Sequence, residues 1–412
     1  LVNINKMVTA KNGLFPISNG CGIYAHVVGW GMAVPDTVLT NRDLEAIVET
    51  SDEWIRTRTG IAERHIAGER ESTASLGLKA AQRAIEVADI LPTDIDLIVV
   101  ATSTPENIFP STASLIQNSL GATKAGAFDL SAACSGFVYA VEMASQAIRS
   151  GSIQTALVIG AETMSRVLDW QDRGTCVLFG DGAGAIILRA SDVEGGVLSA
   201  VLRSDGSGGD LLGIPTVGSE DLRNPEFSSN GHKMHKMHMN GGEVFKFATR
   251  VIGESIEQAL EKANLSINDI SLIVPHQANM RIIQAAARAM KVEPELFMSN
   301  LDRYGNTSAA SIPIALCEAI QQGRVHEDDK LVFVGFGGGL TWASMVLQWT
   351  GTKPKEGRSS TLNRQRRQIS YFWVRLRSQI RRTNRQISQF LDRIRPKRGR
   401  IRRLRDKVDR LE

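Results

Sequence analysis

The chain has 412 residues, 42% of them hydrophobic and 22% charged, an ordinary globular mixture that suits two to three domain-sized units or one large α/β body. Its four cysteines, Cys21, Cys134, Cys176 and Cys317, are scattered with no CxxC spacing, which argues against a disulfide framework or a zinc cluster and suits a reducing compartment. The net charge of +4 hides a division: residues 353–412 carry 21 Lys and Arg against 5 acidic residues, or +16, and the rest carries 27 against 39, or −12.

The opening stretch, LVNINKMVTAKNGLFPISNGCG, lacks the basic region and apolar core of a signal peptide. Residues 1–20 are expected to be a disordered leader, with Met7 as the alternative start. No run of 18 apolar residues occurs, so the expected address is the cytoplasm. STASLGLKAAQRAIEVA (72–88) has a helical apolar period, and DIDLIVVATST (94–104) reads as a strand. AFDLSAAC then runs as a strand into a turn at Cys134, and Phe137, Ala140, Val141, Ala144 and Ile148 give the following segment a helical apolar face. Further strands are expected at TALVIGAE (155–162), AGAIILRA (183–190), SLIVPH (271–276) and LVFVGFG (331–337), with a helix at GESIEQALEKANL (253–265). Strands alternating with helices imply mostly parallel sheets covered on both faces, with chemistry at the carboxyl ends of the strands.

Two internal echoes suggest a duplication. DIDLIV (94–99) recurs as DISLIV (269–274), and GDGAGAIIL (180–188) resembles VGFGGGLTWASMVL (334–347), in the same order. The expected halves are residues 21–195 and 196–350, with an active site at their junction. The glycine-rich runs match neither GxGxxG at a strand-to-helix turn nor GxxxxGK[ST], so close backbone packing accounts for them better than nucleotide binding.

Cys134 is placed at the first turn of a helix among Ala132, Ala133, Ser135 and Gly136. Unpaired N–H groups and the helix dipole favour a thiolate there, and the small neighbours leave room for a thioester. From these residues alone, plain packing and a nucleophile both stand. His276 follows an apolar strand in LIVPHQANMRII, and Asn306 sits in a Gly-Asn-Thr-Ser turn before another helix. Together they can donate to a thioester oxygen that becomes an oxyanion or enolate; helix capping by His276 and a bare turn at Asn306 are the alternatives. His232, His235 and His238 recur at spacings of three, but the Gly and Asn around them favour a surface loop over a metal site.

GTKPKEGRSS (351–360) has linker composition, and residues 361–412 form a basic tail. Ile369, Trp373, Leu376, Ile380, Ile387, Phe390 and Ile394 follow spacings of three, four and seven, giving one apolar face on an arginine-rich helix. Pro396–Gly399 breaks it, and a second short helix is expected from Ile401. Such a helix, over residues 361–395, suits an anionic membrane surface, hence a peripheral position on the inner membrane. Helix pairing between subunits, docking on the acidic body and binding of another acidic partner are the alternatives; no nucleic-acid fold or zinc-finger spacing supports specific nucleic-acid binding.

The runs DLSAACSGF, VPHQAN and GNTSAAS, together with SDEWIRTRTGIAERH (51–65), DRGTCVLFGDGAGA (172–185) and FGGGLTW (336–342), closely resemble beta-ketoacyl-[acyl-carrier-protein] synthase III, a thiolase-like condensing enzyme, over roughly Cys21 to Thr350. The resemblance implies an α/β fold of two related halves in α-β-α-β-α layers, working as a homodimer. It implies a Cys134–His276–Asn306 triad and an oxyanion site built from backbone N–H groups near Cys134 and Gly338. The reaction it implies joins a short acyl-CoA, acetyl-CoA foremost, to malonyl-acyl carrier protein with loss of CO2. No metal, nicotinamide or flavin is called for; the phosphopantetheine thioesters of CoA and the carrier protein are substrates. Trp54 and Arg173 match positions that clamp the adenine end of CoA, and Arg58 is placed to meet phosphate. Lys246, Arg281, Arg288 and Lys291 are candidates for the acidic carrier protein, Arg281 foremost. Phe109 matches a residue that approaches the partner subunit's acyl pocket. The basic tail is not a usual part of the family.

Other readings stay in view. A polyketide-type relative would share Cys134 and His276. A hydroxymethylglutaryl-CoA synthase would need a carboxylate base beside the cysteine, and a chain-elongating synthase would carry a second histidine where Asn306 stands. A non-catalytic scaffold is disfavoured by the intact triad.

Overall fold

The computed structural model describes residues 22–216, 226, 231–351 and 358–394. The leader, the segment 352–357 of the expected linker and the second tail helix lie outside the described residues. Nine strands form two main sheets and are numbered here in chain order. The first sheet holds β1 (Tyr24–Ala33), β2 (Leu97–Ala101), β3 (Gly126–Leu130), β4 (Thr155–Thr163) and β5 (Asp181–Ser191), in the order β1-β5-β4-β2-β3. The second holds β6 (Gly196–Ser204), β7 (Leu272–Pro275), β8 (Lys330–Gly337) and β9 (Thr341–Gln348), in the order β6-β9-β8-β7.

The sheets are mixed rather than mostly parallel. β2 runs parallel to β3 and β4, and β7 parallel to β8, but β1, β5, β6 and β9 pair antiparallel to their neighbours. The reason is visible in the chain: β4 to β5 and β8 to β9 are joined without a long crossover helix, so the chain turns back on itself. The echoed segments occupy equivalent places. DIDLIV lies at β2 and DISLIV at β7, each after a 3₁₀ turn closed by an aspartate (Asp94, Asp269), and each is parallel to the next strand inward.

Helices fill the layers outside and between the sheets. α1 (Thr73–Ala88) and α2 (Thr112–Leu120) cover the outer face of the first sheet. α4 (Gly241–Lys262) and α5 (Met280–Met290) cover the outer face of the second. α3 (Gly136–Arg149) and α6 (Ser311–Gln321) lie between the sheets. Alternation along β2 shows the logic: Ile98 and Val100 join the outer cluster with α1, and Val99 and Ala101 join the central one with α3. The expected face of α3, Phe137, Ala140, Val141, Ala144 and Ile148, is fully buried. This is the α-β-α-β-α thiolase-like arrangement.

Two glycines set how closely the central layer packs. A Cβ built on Gly160 of β4 would lie 2.2 Å from the Ala309 carbonyl oxygen, so only glycine lets the turn before α6 sit on that strand. A Cβ on Gly337, at the end of β8, would lie 2.8 Å from the Cys134 backbone nitrogen. These contacts bring segments of both halves to one point.

A long helix, α7 (Arg358–Ile394), follows the body. It docks on the first half through polar residues. The Arg367 guanidinium pairs with Asp89 at 2.9 Å, both side chains nearly buried, and also donates to the Ile90 carbonyl. Asn363 donates to Asp89, Arg364 lies 3.6 Å from Glu86, Tyr371 packs on the α1 cluster and Val374 lies against Gly121. The apolar face expected to bind a partner points elsewhere: Ile369, Trp373, Ile380, Ile387 and Phe390 are 49–62% exposed. Successive helical residues are turned by about 100°, so Tyr371 and Trp373 lie about 160° apart. Among the described residues no helix is long and apolar enough to cross a membrane.

Candidate active site

β3 ends at Leu130, and the chain then turns through Ala133, at φ 45°, into a 3₁₀ turn holding Cys134 before α3 begins. A non-glycine residue at positive φ is strained, and here that geometry presents Cys134 at the mouth of the helix. Cys134 is 6% exposed, and its Sγ lies 3.5 Å from the Ser308 hydroxyl. The helix-start argument predicts a thiolate, but burial dominates and pushes the thiol up to about 12, with the Ser308 hydrogen bond acting the other way. The resting group is a thiol.

His276 follows β7, its backbone nitrogen bonded to the Val334 carbonyl at 2.7 Å. It is buried, its Nδ1 lies 2.7 Å from the Ser311 hydroxyl and its ring meets Phe336 edge-on. Burial holds the imidazole neutral, with a pKa near 3. The single Ser311 hydroxyl hydrogen lies between two acceptors, His276 Nδ1 and the Ser308 carbonyl at 2.8 Å; a donor role of the ring toward an anionic oxygen requires the arrangement in which Ser311 turns it to Nδ1 and the ring hydrogen sits on Nε2.

Asn306 is tied by its backbone to the DRGTCVLFGDGAGA segment. Its N–H donates to the Leu178 carbonyl at 2.8 Å, and its carbonyl accepts from the Gly180 N–H at 3.0 Å. Its Oδ1 accepts from the Ser308 N–H at 2.8 Å, which orients the amide and leaves Nδ2 as the donor for the cavity. Cys134, His276 and Asn306 line one cavity of about 190 Å³, together with Phe245, Asn279 and Gly337. A second cavity, of about 550 Å³, meets it at Cys134 and is walled by Ile108, Met164, Leu212, Ile214 and Met237, with Gly338 at its rim. The smaller cavity carries the donor side chains; the larger is the more apolar of the two.

The remaining candidates separate. Trp54, in the helix Asp52–Thr59, has the Arg173 guanidinium 4.8 Å and the Arg58 guanidinium 5.8 Å from its ring centroid, so these three form one cluster. Arg173 also donates to the Glu49 carbonyl at 3.0 Å. Lys246 and Arg281 lie near the starts of α4 and α5, next to residues that line the smaller cavity: Arg281 sits over Phe245, and Lys246 pairs with Glu243. Arg288 and Lys291 are exposed at the far end of α5, about two turns away. Phe109 is 85% exposed beside Ile108. His232 and His238 stack at 3.6 Å, with His238 in a short strand paired to Leu212–Gly213 rather than in a helix. Among the described residues no group of three or more His, Cys, Asp or Glu gathers as a metal site.

Sequence reading missed Glu162, at the end of β4. It is fully buried, with hydrogen bonds from Thr102, Ser103, Thr104 and Ser308. A carboxylate closing the otherwise apolar run TALVIGAE was the available signal. It also missed Arg64, buried and bonded to Leu39, Asn41 and Val177, which braces the segment that holds Asn306.

Known proteins fit this arrangement. Residues 128–206 match the family model for 3-oxoacyl-[acyl-carrier-protein] synthase III, and residues 260–349 match its C-terminal counterpart. Beta-ketoacyl-[acyl-carrier-protein] synthase III of Symbiobacterium thermophilum is 53% identical over 323 residues, 78% of this chain and 97% of the relative. The protein of the same name from Roseiflexus sp. is 51% identical over 327 residues, 79% of this chain and 99% of the relative. The crystal structure of 3-oxoacyl-[acyl-carrier-protein] synthase III from Aquifex aeolicus superposes with a TM-score of 0.73 at 45% identity, covering 79% of this chain and all of that one. The relatives are matched almost whole while about a fifth of this chain is left over. With this fold, these cavities and these relatives, the chain belongs to the beta-ketoacyl-[acyl-carrier-protein] synthase III family, the transferases that initiate fatty acid synthesis.

Proposed function

We propose that Cys134 carries the acyl group in this condensation and that His276 and Asn306 stabilise the enolate. The observation that supports this most is the single cavity lined by all three side chains, with a larger, more apolar cavity that Cys134 also lines. In the first half-reaction the Cys134 sulfur attacks the carbonyl of a short acyl-CoA, CoA leaves, and the acyl chain occupies the apolar cavity. In the second, malonyl-acyl carrier protein loses CO2 and its carbon attacks the acyl-cysteine. The Asn306 Nδ2 donor and the His276 ring are suited to the developing oxygen charge, and backbone N–H groups of Cys134 and Gly338 to the tetrahedral oxyanion. The chemistry needs no metal or redox cofactor, because the leaving CO2 supplies the electron pair of the new carbon–carbon bond. Trp54, Arg58 and Arg173 are assigned to the CoA nucleotide. Lys246 and Arg281 are assigned to the acyl carrier protein, with Arg288 and Lys291 in an outlying role.

The test is intact mass after incubation with acetyl-CoA. One acyl group per chain is expected, mapped to Cys134, and a Cys134→Ala chain that acylates to the same extent would refute the assignment. A marked preference for malonyl-CoA over malonyl-acyl carrier protein would instead favour the polyketide-type relative.

Assembly and address complete the proposal. A homodimer is favoured by the exposed apolar residues Ile108, Phe109 and Phe128, the last on the edge strand β3, and sedimentation equilibrium measures it; the address proposed with it is the cytoplasm. For the tail, an anionic lipid surface is favoured by charge complementarity. α7 keeps its apolar stripe turned from the body, within a segment of net charge +16. The chain is expected to cosediment with vesicles containing phosphatidylglycerol and not with phosphatidylcholine alone, and salt should weaken the binding. Equal sedimentation of a chain ending at Thr350 refutes it, and concentration-dependent pairing through the tail without lipid binding assigns the stripe to a second copy.

A further inference from the structure

We propose that Glu162 receives the thiol proton of Cys134 through the hydroxyl of Ser308. The inference rests on Cys134 being the acylated residue and adds how its proton leaves. The three groups form a continuous path: Cys134 Sγ lies 3.5 Å from Ser308 Oγ, and Ser308 Oγ lies 3.0 Å from Glu162 Oε1. They come from three separate elements, the turn after β3, the turn before α6 and the end of β4. Gly160, two residues before Glu162, lets the α6 turn approach closely enough for Ser308 to reach it. Ser308 itself is held at φ 49°, a strained conformation for serine.

The direction of the hydrogen bonds is fixed by their surroundings. The Thr102 hydroxyl accepts from the Thr104 N–H at 3.0 Å, and the Thr104 hydroxyl accepts from the Thr163 N–H at 2.9 Å. Each therefore turns its own hydrogen to the Glu162 carboxylate, at 3.2 and 2.5 Å. The Ser103 N–H adds a third donor. A donor-only environment suits an ionised carboxylate, and Ser308 completes it while its oxygen accepts from Cys134. Burial works against that charge and raises the proton affinity of Glu162, so the carboxylate is poised to take a proton. No Lys, Arg or His is bonded to it among the described residues. Of the nearby acids, Asp181 is engaged by Ala67 and Ser165, Asp129 by Thr112 and Ala113, and Glu106 by Ala74 and Thr112; His276 is neutral.

The step balances. The Sγ proton passes to Ser308 Oγ as the Ser308 hydroxyl proton passes to Glu162 Oε1, and the sulfur electron pair forms the bond to the thioester carbon. The carbon–sulfur bond to CoA breaks with its electron pair on CoA sulfur. Return of the proton along the same path lets CoA leave as the thiol and restores the carboxylate. The buried pocket holds one negative charge throughout, which avoids placing a thiolate beside an ionised Glu162. Ser308 touches the reacting sulfur; Glu162 acts through it as a positioning residue.

The test is the pH dependence of Cys134 alkylation by iodoacetamide, read by peptide mass in the full-length protein. The wild-type rate should rise as Glu162 ionises, above the ordinary carboxylate range, and then level off. Glu162→Gln should lose the plateau, fall at least tenfold at pH 7 and climb steadily with pH as the buried thiol ionises unaided. Ser308→Ala, which leaves the carboxylate intact, should show the same profile and decides the matter if the first variant does not fold. Glu162→Asp should restore part of the plateau. An unchanged profile in Ser308→Ala, a uniform pH-independent drop, or loss of the plateau in His276→Ala alone would overturn the relay. If Cys134 alkylates as described but acetyl-CoA does not acylate it, the nucleophile assignment fails and not the relay.

Discussion

Replacing Asn306 by Ala isolates the step in which negative charge appears. Its amide is nearly buried, its Oδ1 is committed to the Ser308 N–H, and its backbone is held on both sides by residues 178 and 180, so truncation leaves the loop in place. The loss is one preorganised donor to an oxygen that is neutral in the thioester and anionic in the enolate. Removing such a donor costs about 10²–10³-fold, or roughly 3–4 kcal/mol of barrier, and only where the charge develops. The orphaned Ser308 N–H should lower stability by about 1–3 kcal/mol. Asn306→Asp separates the two effects, since it keeps the acceptor for Ser308 and removes the donor. Decarboxylation of labelled malonyl-acyl carrier protein should fall by about two to three orders of magnitude in both variants, while acyl transfer from acetyl-CoA to Cys134 changes by less than about tenfold. Equal losses in the two half-reactions would show that Asn306 serves the thiol as well, and would refute the division of labour.

Gly337→Ala should slow acylation by about ten- to a hundredfold, because the new Cβ meets the Cys134 backbone nitrogen at 2.8 Å and must displace the nucleophile; rapid-quench acylation measures it. His276, with a folded pKa near 3 against the ordinary 6.5, takes up a proton more readily when unfolded. Its neutral burial costs nothing above pH 6.5 and removes stability as pH falls from there toward 3, about 2 kcal/mol by pH 5. Denaturant titrations should show that His276→Gln has lost this part of the acid sensitivity. Arg367→Ala leaves Asp89 buried without its partner and should weaken docking of α7 by about 3 kcal/mol or more. Faster hydrogen exchange over residues 363–374 with unchanged condensation is the expected readout.

The placement of the candidate residues was legible in local sequence, and the roles proposed for them came from the resemblance of their motifs to a known family. Cys134 and His276 follow strands and Asn306 precedes a helix, so these positions could be read residue by residue. Glu162 offered a signal as a carboxylate closing an apolar run, but its contact with Ser308, 146 residues apart in the chain, could not be read. The state of the thiol was misjudged for a related reason. Helix position is visible in sequence and favours thiolate, but the burial that outweighs it depends on how Gly337 packs on Cys134 and how the α6 turn brings Ser308 to the sulfur. Sheet direction was misjudged because alternating strands and helices do not reveal a return made by a tight connection, as between β8 and β9.

The tail shows how periodicity can name a face without naming its partner. The spacing of Ile369, Trp373, Ile380, Ile387 and Phe390 correctly gave one apolar stripe, and an acidic body beside a +16 segment made docking plausible. Docking does occur, but through Asn363, Arg367 and Tyr371 on the other side of the helix, where a single buried ion pair with Asp89 sets the contact. The guanidinium serves this purpose through Nη1, which donates to both the Asp89 carboxylate and the Ile90 carbonyl at the αL end of α1. Once the polar side is committed to the body, the apolar side is held outward. Arg367, one of many arginines in the tail, is thus the residue that orients the stripe toward whatever binds it.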